Sequence, residues 1–443
     1  RQPLVRRSGQ LQPVTWDEAL DLVARGLREI RSKSGPDSIG FLGSNRTTNE
    51  ENYLLQRFAR TAVGTNNIDH HRTADYAALV SALGGDTARF AASRDLLRAS
   101  AILLIGNDPT HNHPLLAAHI RLAVRNNGAS LYIVNSREIK LRRQAKKFLI
   151  VPSGQEATAA ESLLDSLREE KDLIVLFGAE VAGGDVGQLV RFANALPGTA
   201  RYIALGDYAN SRGAADMGLL PDRLPGYSPV GDSASREKWA QLWKAQIPSA
   251  PGMNSRQMLT GGKLRALYVV GSNPIKTFGL ENKREALGPL ELLVVHELFL
   301  TETAALADVV LPAACAYEKE GAFTNTCGEL QRVKRALEPV GLRSDFEILR
   351  LLSHALGHPI PLRTPEAALD EIRQHVPGYQ VSLASVLAGE ALPTAPTDGR
   401  GPIETAAGLV FSNNDSLFTS GTLSRYSETL NSLPERTLPR SRL

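Results

Sequence analysis

Four short apolar runs in this chain each end in a polar turn carrying glycine or asparagine, and that recurrence restricts the fold more than any other feature. Residues 38–43 lead into Ser44-Asn45, and residues 101–105 into Gly106-Asn107-Asp108-Pro109. Residues 130–134 lead into Asn135-Ser136-Arg137, and residues 265–270 into Gly271-Ser272-Asn273-Pro274. Runs this short, β-branched and bounded by turn residues are read as buried strands. Helical patterns alternate with them. Thr15 is placed as an N-cap with Glu18 three residues on, and Ala19, Leu20, Leu22, Val23 and Leu27 form the apolar face. Residues 49–63 and 115–125 are helical, and 100–135 is a strand–helix–strand unit that 172–205 repeats. Strands alternating with helices predict an α/β protein with doubly wound, largely parallel sheets.

A chain of 443 residues is too long for one compact core. The expected division is a discontinuous first lobe at 1–60 and 260–376, a second lobe at 61–259, and a linker and tail at 377–443. The Pro-, Gly- and Ser-rich passage 218–262 is expected to cross the surface irregularly, with Trp239 and Trp243 on a short amphipathic helix that either packs inward or docks a partner. A net charge of +3 without a long basic run argues against a nucleic-acid partner. Two cysteines, Cys315 and Cys327, make neither a disulfide framework nor a four-thiolate metal site, and fit a reducing, cytoplasmic setting. No apolar run approaches the ~20 residues of a membrane-spanning helix. The chain opens at Arg1, which is read as an excised domain.

In doubly wound sheets, ligands bind at the carboxyl ends of strands, where glycine admits a phosphate to the backbone and helix N-termini offer free N–H groups. The two G-x-[ND]-P turns are therefore the candidate ligand loops. Gly106-Asn107-Asp108-Pro109, His113-Pro114 and Val134-Asn135-Ser136-Arg137 resemble the first pterin-dinucleotide region of formate dehydrogenases and nitrate reductases. Gly271-Ser272-Asn273-Pro274, Thr301, Thr303, Asp308 to Pro312, Glu320-Gly321 and Gln331-Arg332 resemble the second half. The resemblance implies the molybdopterin-oxidoreductase fold (formate dehydrogenase domains 1–3), two pseudo-symmetric α/β lobes around a cleft. It also implies cofactor contacts at Gly106, Asn107, Asp108, Arg137, Gly271, Asn273 and Thr301.

Departures from that pattern concern the ligands. Residues 64–76 read G-T-N-N-I-D-H-H-R-T-A-D-Y, where the catalytic relatives carry the cysteine, selenocysteine or serine that ligates molybdenum or tungsten. Asn135-Ser136-Arg137 stands where those relatives have D-P-R, so a carboxylate for one guanosine is missing. T-N-N-I-D-H-H-R, Y-E-K-E-G-x-F-T-N and Leu417-Phe418-Thr419-Ser420-Gly421-Thr422-Leu423-Ser424 resemble one branch, the large iron–sulfur subunit of bacterial NADH–quinone oxidoreductase, respiratory complex I. That resemblance implies a non-catalytic structural domain with a vestigial pterin cleft and no cofactor of its own. The 2Fe-2S and 4Fe-4S clusters would lie in the N-terminal part outside this chain. The partners would be other subunits of the peripheral arm, with the membrane met only through the complex, at the cytoplasmic face of the plasma membrane. The alternative is a molybdopterin-dependent oxidoreductase fragment of the formate dehydrogenase and nitrate reductase family. A third reading is a separate nucleotide-binding module.

Other polar groups are expected to be structural. His70, His71, His111 and His113 read as turn and interface histidines without a zinc spacing, and Asp75 as a solvent-side helix carboxylate. Glu318-Lys319-Glu320 reads as a charge-paired loop closure, and Cys327 as an unreactive loop thiol.

Overall fold

The computed structural model describes residues 1–280, 287–397, 399 and 409–410. Two sheets organise them. The first contains β1 (Leu4–Arg7), β2 (Gln10–Pro13), β3 (Ile39–Gly43), β4 (Ile68–His70), β10 (Ala266–Val270), β11 (Leu292–Glu297) and β12 (Val309–Pro312). Its order is β2-β1-β12-β11-β10-β3-β4, parallel from β12 to β4. The polar β1–β2 hairpin pairs antiparallel with β12 and blunts that edge. The second sheet is wholly parallel, with β5 (Ala101–Ile105), β6 (Ser130–Asn135), β7 (Lys147–Ile150), β8 (Asp172–Phe177) and β9 (Thr199–Ala204) in the order β7-β6-β5-β8-β9. Every residue of β3, β5 and β10 is buried, because helices cover both faces of each sheet. The expected α/β class with doubly wound parallel sheets is what the chain adopts.

Local signals explain the helices that carry these sheets. α1 (Trp16–Ser34) begins where Thr15 Oγ1 accepts the Glu18 amide, and buries Ala19, Leu20, Val23, Ala24, Leu27 and Ile30 against the first sheet. α2 (Asn49–Arg57) opens with a full capping box between Thr48 and Glu51, and all nine of its residues are buried between elements.

Several segments differ from expectation. β4, placed in the second lobe by its position in the chain, joins the first sheet. Passage 218–262 contains two helices, Ser233–Trp243 and Ser255–Thr260. Trp239 and Trp243 turn inward with ring centroids 4.8 Å apart, and Trp243 Nε1 donates to the Tyr53 hydroxyl at 3.0 Å. They are packing residues rather than a docking face. The expected linker is anchored as far as residue 397. Tyr379 and Val386 are buried, and β15 (Leu392–Pro393) pairs with β14 (Glu329–Val333), which pairs with β13 (Gly321–Thr324). The Pro and Ala content of that stretch hid two apolar anchors. The expected tail at 417–443, with its L-F-x-S-G-T motif, lies outside the described residues. Among the described residues, no helix is long and apolar enough to cross a membrane.

Candidate functional site

Each sheet has one topological switch point. In the first, chain order runs outward from β3 to β4 and, on the other side, from β10 through β11 to β12. In the second, it runs from β5 to β6 and β7, and from β8 to β9. The crevices open at the carboxyl ends of β3 and β10, and of β5 and β8.

Arg46, Thr47, Gly271, Asn273, Glu297, Lys319 and Asp345 line the first crevice. Two loops build its rim. Asn273 Oδ1 accepts the Thr303 hydroxyl at 2.7 Å, and Asn273 Nδ2 donates to Glu302 at 2.5 Å, which locks the loop after β10 onto the loop after β11. Thr301 lies just behind that contact as the buried N-cap of the helix Glu302–Leu306. Gly271 takes a left-handed backbone at φ +57°, which turns the chain away from the strand.

Behind this crevice runs a buried polar chain. Tyr268 Oη lies 2.5 Å from His296 Nε2, His296 Nδ1 donates to Asp345 Oδ1 at 2.9 Å, and Lys319 Nζ lies 3.4 Å from Asp345 Oδ2 and 2.6 Å from Glu51 Oε2. Burial pushes the Asp345 carboxyl up, but Lys319 and His296 outweigh it and hold the acid below the usual carboxylate range. Burial opposes the Lys319 charge, yet Glu51 and Asp345 hold its ammonium above the ordinary lysine value. Sequence reasoning placed Lys319 in a loop closure. Glu318 does close that loop, through the Cys315 amide, whereas Lys319 reaches inward to charges on two other elements. Cys315, a half-buried thiol, also lines the crevice.

The second crevice gathers Gly106, Asn107 and Asp108 after β5 with Glu180 after β8. Asp108 caps the helix Pro109–Asn112, and Asn135 Nδ2 donates to the Asn107 carbonyl while Asn135 Oδ1 accepts the Arg137 amide. Arg137 itself is exposed at the rim. Asn107 Oδ1, His113 Nε2 and Glu180 Oε2 are buried without a hydrogen-bond partner among the described residues. Burial, with Asp207 and Glu156 nearby, pushes Glu180 up to about 7. The seven expected cofactor residues therefore fall into two clusters, Gly271, Asn273 and Thr301 on one sheet and Gly106, Asn107, Asp108 and Arg137 on the other. Glu180 was not foreseen, since an acid two residues past a strand-end glycine carries no pattern.

Segment 64–76 lies beside both lobes, and most of its polar groups serve the fold. His70 is buried in β4, its Nδ1–H donates to the Leu219 carbonyl at 2.7 Å, and burial pulls its pKa down to about 4. His71 packs edge-on to Tyr208, which Arg46 also covers at 4.3 Å. Asp75 is buried rather than solvent-facing. It caps α3 (Tyr76–Leu83), with Oδ1 accepting the Ala78 amide at 3.0 Å and Oδ2 the Gly183 amide at 2.8 Å. Among the described residues, no group of three or more His, Cys, Asp or Glu side chains is placed to hold a metal ion. Cys327 is buried, and its thiol is pushed up to about 12.

Residues 1–355 match the molybdopterin oxidoreductase family. Formate dehydrogenase H of Escherichia coli (strain K12) is 30% identical over 449 residues, covering 85% of this chain and 63% of the relative. A putative formate dehydrogenase of Staphylococcus haemolyticus (strain JCSC1435) is 29% identical, covering 85% of this chain and 45% of the relative. The chain thus spans about half the length of such relatives. Among solved structures, acetylene hydratase from Pelobacter acetylenicus superposes with a TM-score of 0.60 at 17% identity, over 89% of this chain and 66% of that one. These findings overturn the expectation of a complex I iron–sulfur subunit, and with it the non-catalytic scaffold role and the NADH–quinone parent complex. These two relatives, each matched over 85% of this chain, are named a formate dehydrogenase and a putative formate dehydrogenase.

Proposed function

This chain belongs to the molybdopterin oxidoreductase family, and we propose that it is the cofactor-bracketing part of a molybdopterin-dependent oxidoreductase of the formate dehydrogenase type. The observation that carries this is the open crevice at the switch point of the first sheet, where Gly271, Asn273, Thr47, Arg46 and Lys319 meet. A pterin dinucleotide needs close backbone approach, donors for its phosphates and cations near them. Gly271 supplies the approach, Thr47 and Asn273 the polar rim, and Arg46 positive charge, while Lys319 is held in the wall by Glu51 and Asp345. The donor set fits the dinucleotide. His70 and Asp75 are poor candidates for a metal ligand, because His70 Nδ1 and both Asp75 oxygens are already bonded to backbone groups.

A bound molybdopterin group supplies two-electron oxidation and reduction. This chain's part is to bind and orient. The Asn273–Thr303 bond keeps the two rim loops in register, and the Asp345–His296–Tyr268 chain fixes Lys319 at the crevice wall without letting it swing to solvent. Formate is the proposed substrate class, from the relatives. The test is to produce the chain in a host that makes molybdopterin, count pterin by its fluorescence after oxidation, and follow formate-dependent dye reduction. Bound pterin with formate-dependent reduction supports the proposal. A protein that carries no pterin overturns it.

A further inference from the structure

We infer that the open edge of the second sheet, strand β7 with the cations that precede it, docks an extended acidic segment of another polypeptide as an added strand.

The two edges of that sheet are finished differently. At β9, segment 87–91 lies along the strand. Phe90 bridges Tyr202, the Ala91 amide donates to the Tyr202 carbonyl at 3.1 Å, and Arg89 Nη1 donates to the Ala200 carbonyl at 3.0 Å. Among the described residues, β7 pairs with β6 alone. The Val151 amide donates to the Asn135 carbonyl, while the Val134 carbonyl accepts Gly106 on the other side of β6. Strand alternation then turns the backbone groups of Leu149 toward β6 and those of Phe148 and Ile150 outward. The Ile150 side chain is 60% exposed beside them. An apolar strand left open in this way is a template for a further strand.

Charge selects the partner. Residues 137–147 hold six cations, Arg137, Lys140, Arg142, Arg143, Lys146 and Lys147, and one carboxylate, Glu138, a net +5 where the whole chain has +3. All six cations are exposed. Arg142 pairs with Glu138 at 2.7 Å and Lys146 with Glu170 at 3.5 Å, whereas Lys140, Arg143 and Lys147 have no carboxylate partner among the described residues. Lysines on an edge ordinarily guard it, and the guard acts against like-charged strands. A second copy would set the same cations face to face. This chain's own segment 417–443 carries Arg425, Arg436, Arg440 and Arg442 against Glu428 and Glu435, and is repelled as well. An acidic strand gains from both features, backbone pairing along Phe148 to Ile150 and carboxylates set against the unpaired cations. A lipid surface or a nucleic acid would use the charge and leave the strand edge unpaired.

The test is fluorescence anisotropy of a labelled peptide, Thr-Glu-Val-Glu-Val-Glu-Val-Thr, titrated with the whole chain at low and high salt. Its N-methylated form, which lacks the strand-pairing N–H groups, and its Lys-for-Glu form are run beside it, with phosphatidylserine vesicles and oligouridine. The acidic peptide should bind, more weakly as salt rises, and should protect the Phe148 and Ile150 amides from hydrogen exchange. The N-methylated and lysine forms should bind roughly tenfold more weakly or worse. Ile150→Pro removes an outward donor and leaves the Val151–Asn135 bond in place. It should also weaken binding roughly tenfold, and Ile150→Ala, which keeps that donor, by less. Arg143→Gln with Lys147→Gln, both exposed, should give a similar loss and keeps the comparison open if the proline variant folds poorly. No binding of the acidic peptide overturns the inference, and so does equal binding of its N-methylated form. Vesicles or oligouridine held more tightly than the peptide, with Ile150→Pro without effect, would overturn it in favour of a lipid or nucleic-acid surface.

Discussion

Lys319 Nζ sits 2.6 Å from Glu51 Oε2, and that contact ties the loop before β13 to the capping box of α2, which follows β3. The pair is buried on both sides, and Asp345 is the ammonium's second partner. Three charges in low dielectric are tolerable only together. Lys319→Met removes the one cation and leaves two buried carboxylates facing each other. We expect a loss of about 3–5 kcal/mol of stability, read from the midpoint of urea unfolding. Adding Glu51→Gln to Lys319→Met should recover a large part of that loss. A double variant no more stable than the single one would show that the cluster does not act as an electrostatic unit.

Glu50, the neighbour of Glu51, gives a pH dependence in the alkaline direction. Burial pushes its carboxyl up to about 8 from an ordinary 4.5, although Oε2 accepts the Ala322 amide. Between those values the folded chain keeps a proton that the unfolded chain has released, so stability falls as pH rises from 4.5 to about 8 and then levels. Glu50→Gln should flatten this fall, by an amount on the order of a few kcal/mol across the window. Chemical denaturation at pH 5, 7 and 9 measures it, and parallel profiles for the two proteins would be the wrong outcome.

The fold was legible where apolar runs met strand-end glycine, because burial on both faces demands uninterrupted apolar strands and the turn into a helix demands Gly, Asn or Pro. The place of the two G-x-[ND]-P turns at strand ends was legible for the same reason. The charged chain behind the first crevice was not. Glu51, His296, Lys319 and Asp345 come from four distant segments, and periodicity carries no sign of which charges meet. The complex I reading failed on motifs that turn out to hold the fold itself. Asn66 Nδ2 donates to the carbonyls of Pro248 and Ala250, Asn67 bonds Asp37 and Met253, and Asp69 accepts the Ser255 amide. T-N-N-I-D therefore pins the 248–255 loop to β4, a task independent of any one branch. Lys319 of E-K-E-G serves the scaffold in the same sense.

His70 gives the acid-side counterpart. Its pKa falls to about 4, so the folded chain holds it neutral while the unfolded chain protonates near 6.5. The His70 contribution is complete above 6.5 and is lost as pH falls from there toward 4, with a slope of up to about 1.4 kcal/mol per pH unit. His70→Asn should remove that slope between pH 6.5 and 4. Thermal unfolding in overlapping buffers follows it, and an unchanged acid limb would assign the loss to other groups.

Asp75 is where structure and metal chemistry make opposite demands on one side chain. As an N-cap that also accepts the Gly183 amide, it joins α3 to the loop after β8, and both oxygens are engaged. A ligand to a metal would have to give up at least one of those bonds. Asp75→Ala should cost about 1–3 kcal/mol, from the lost cap and an amide left without its partner. Asp75→Asn should recover part of this, since its carbonyl oxygen still caps Ala78. In protein carrying molybdenum or tungsten, both variants should retain the unaltered metal-to-pterin ratio. Elemental analysis beside the pterin assay decides between the two roles. A ratio that collapses in both variants, with unfolding midpoints unmoved, would make Asp75 a metal ligand and not a cap.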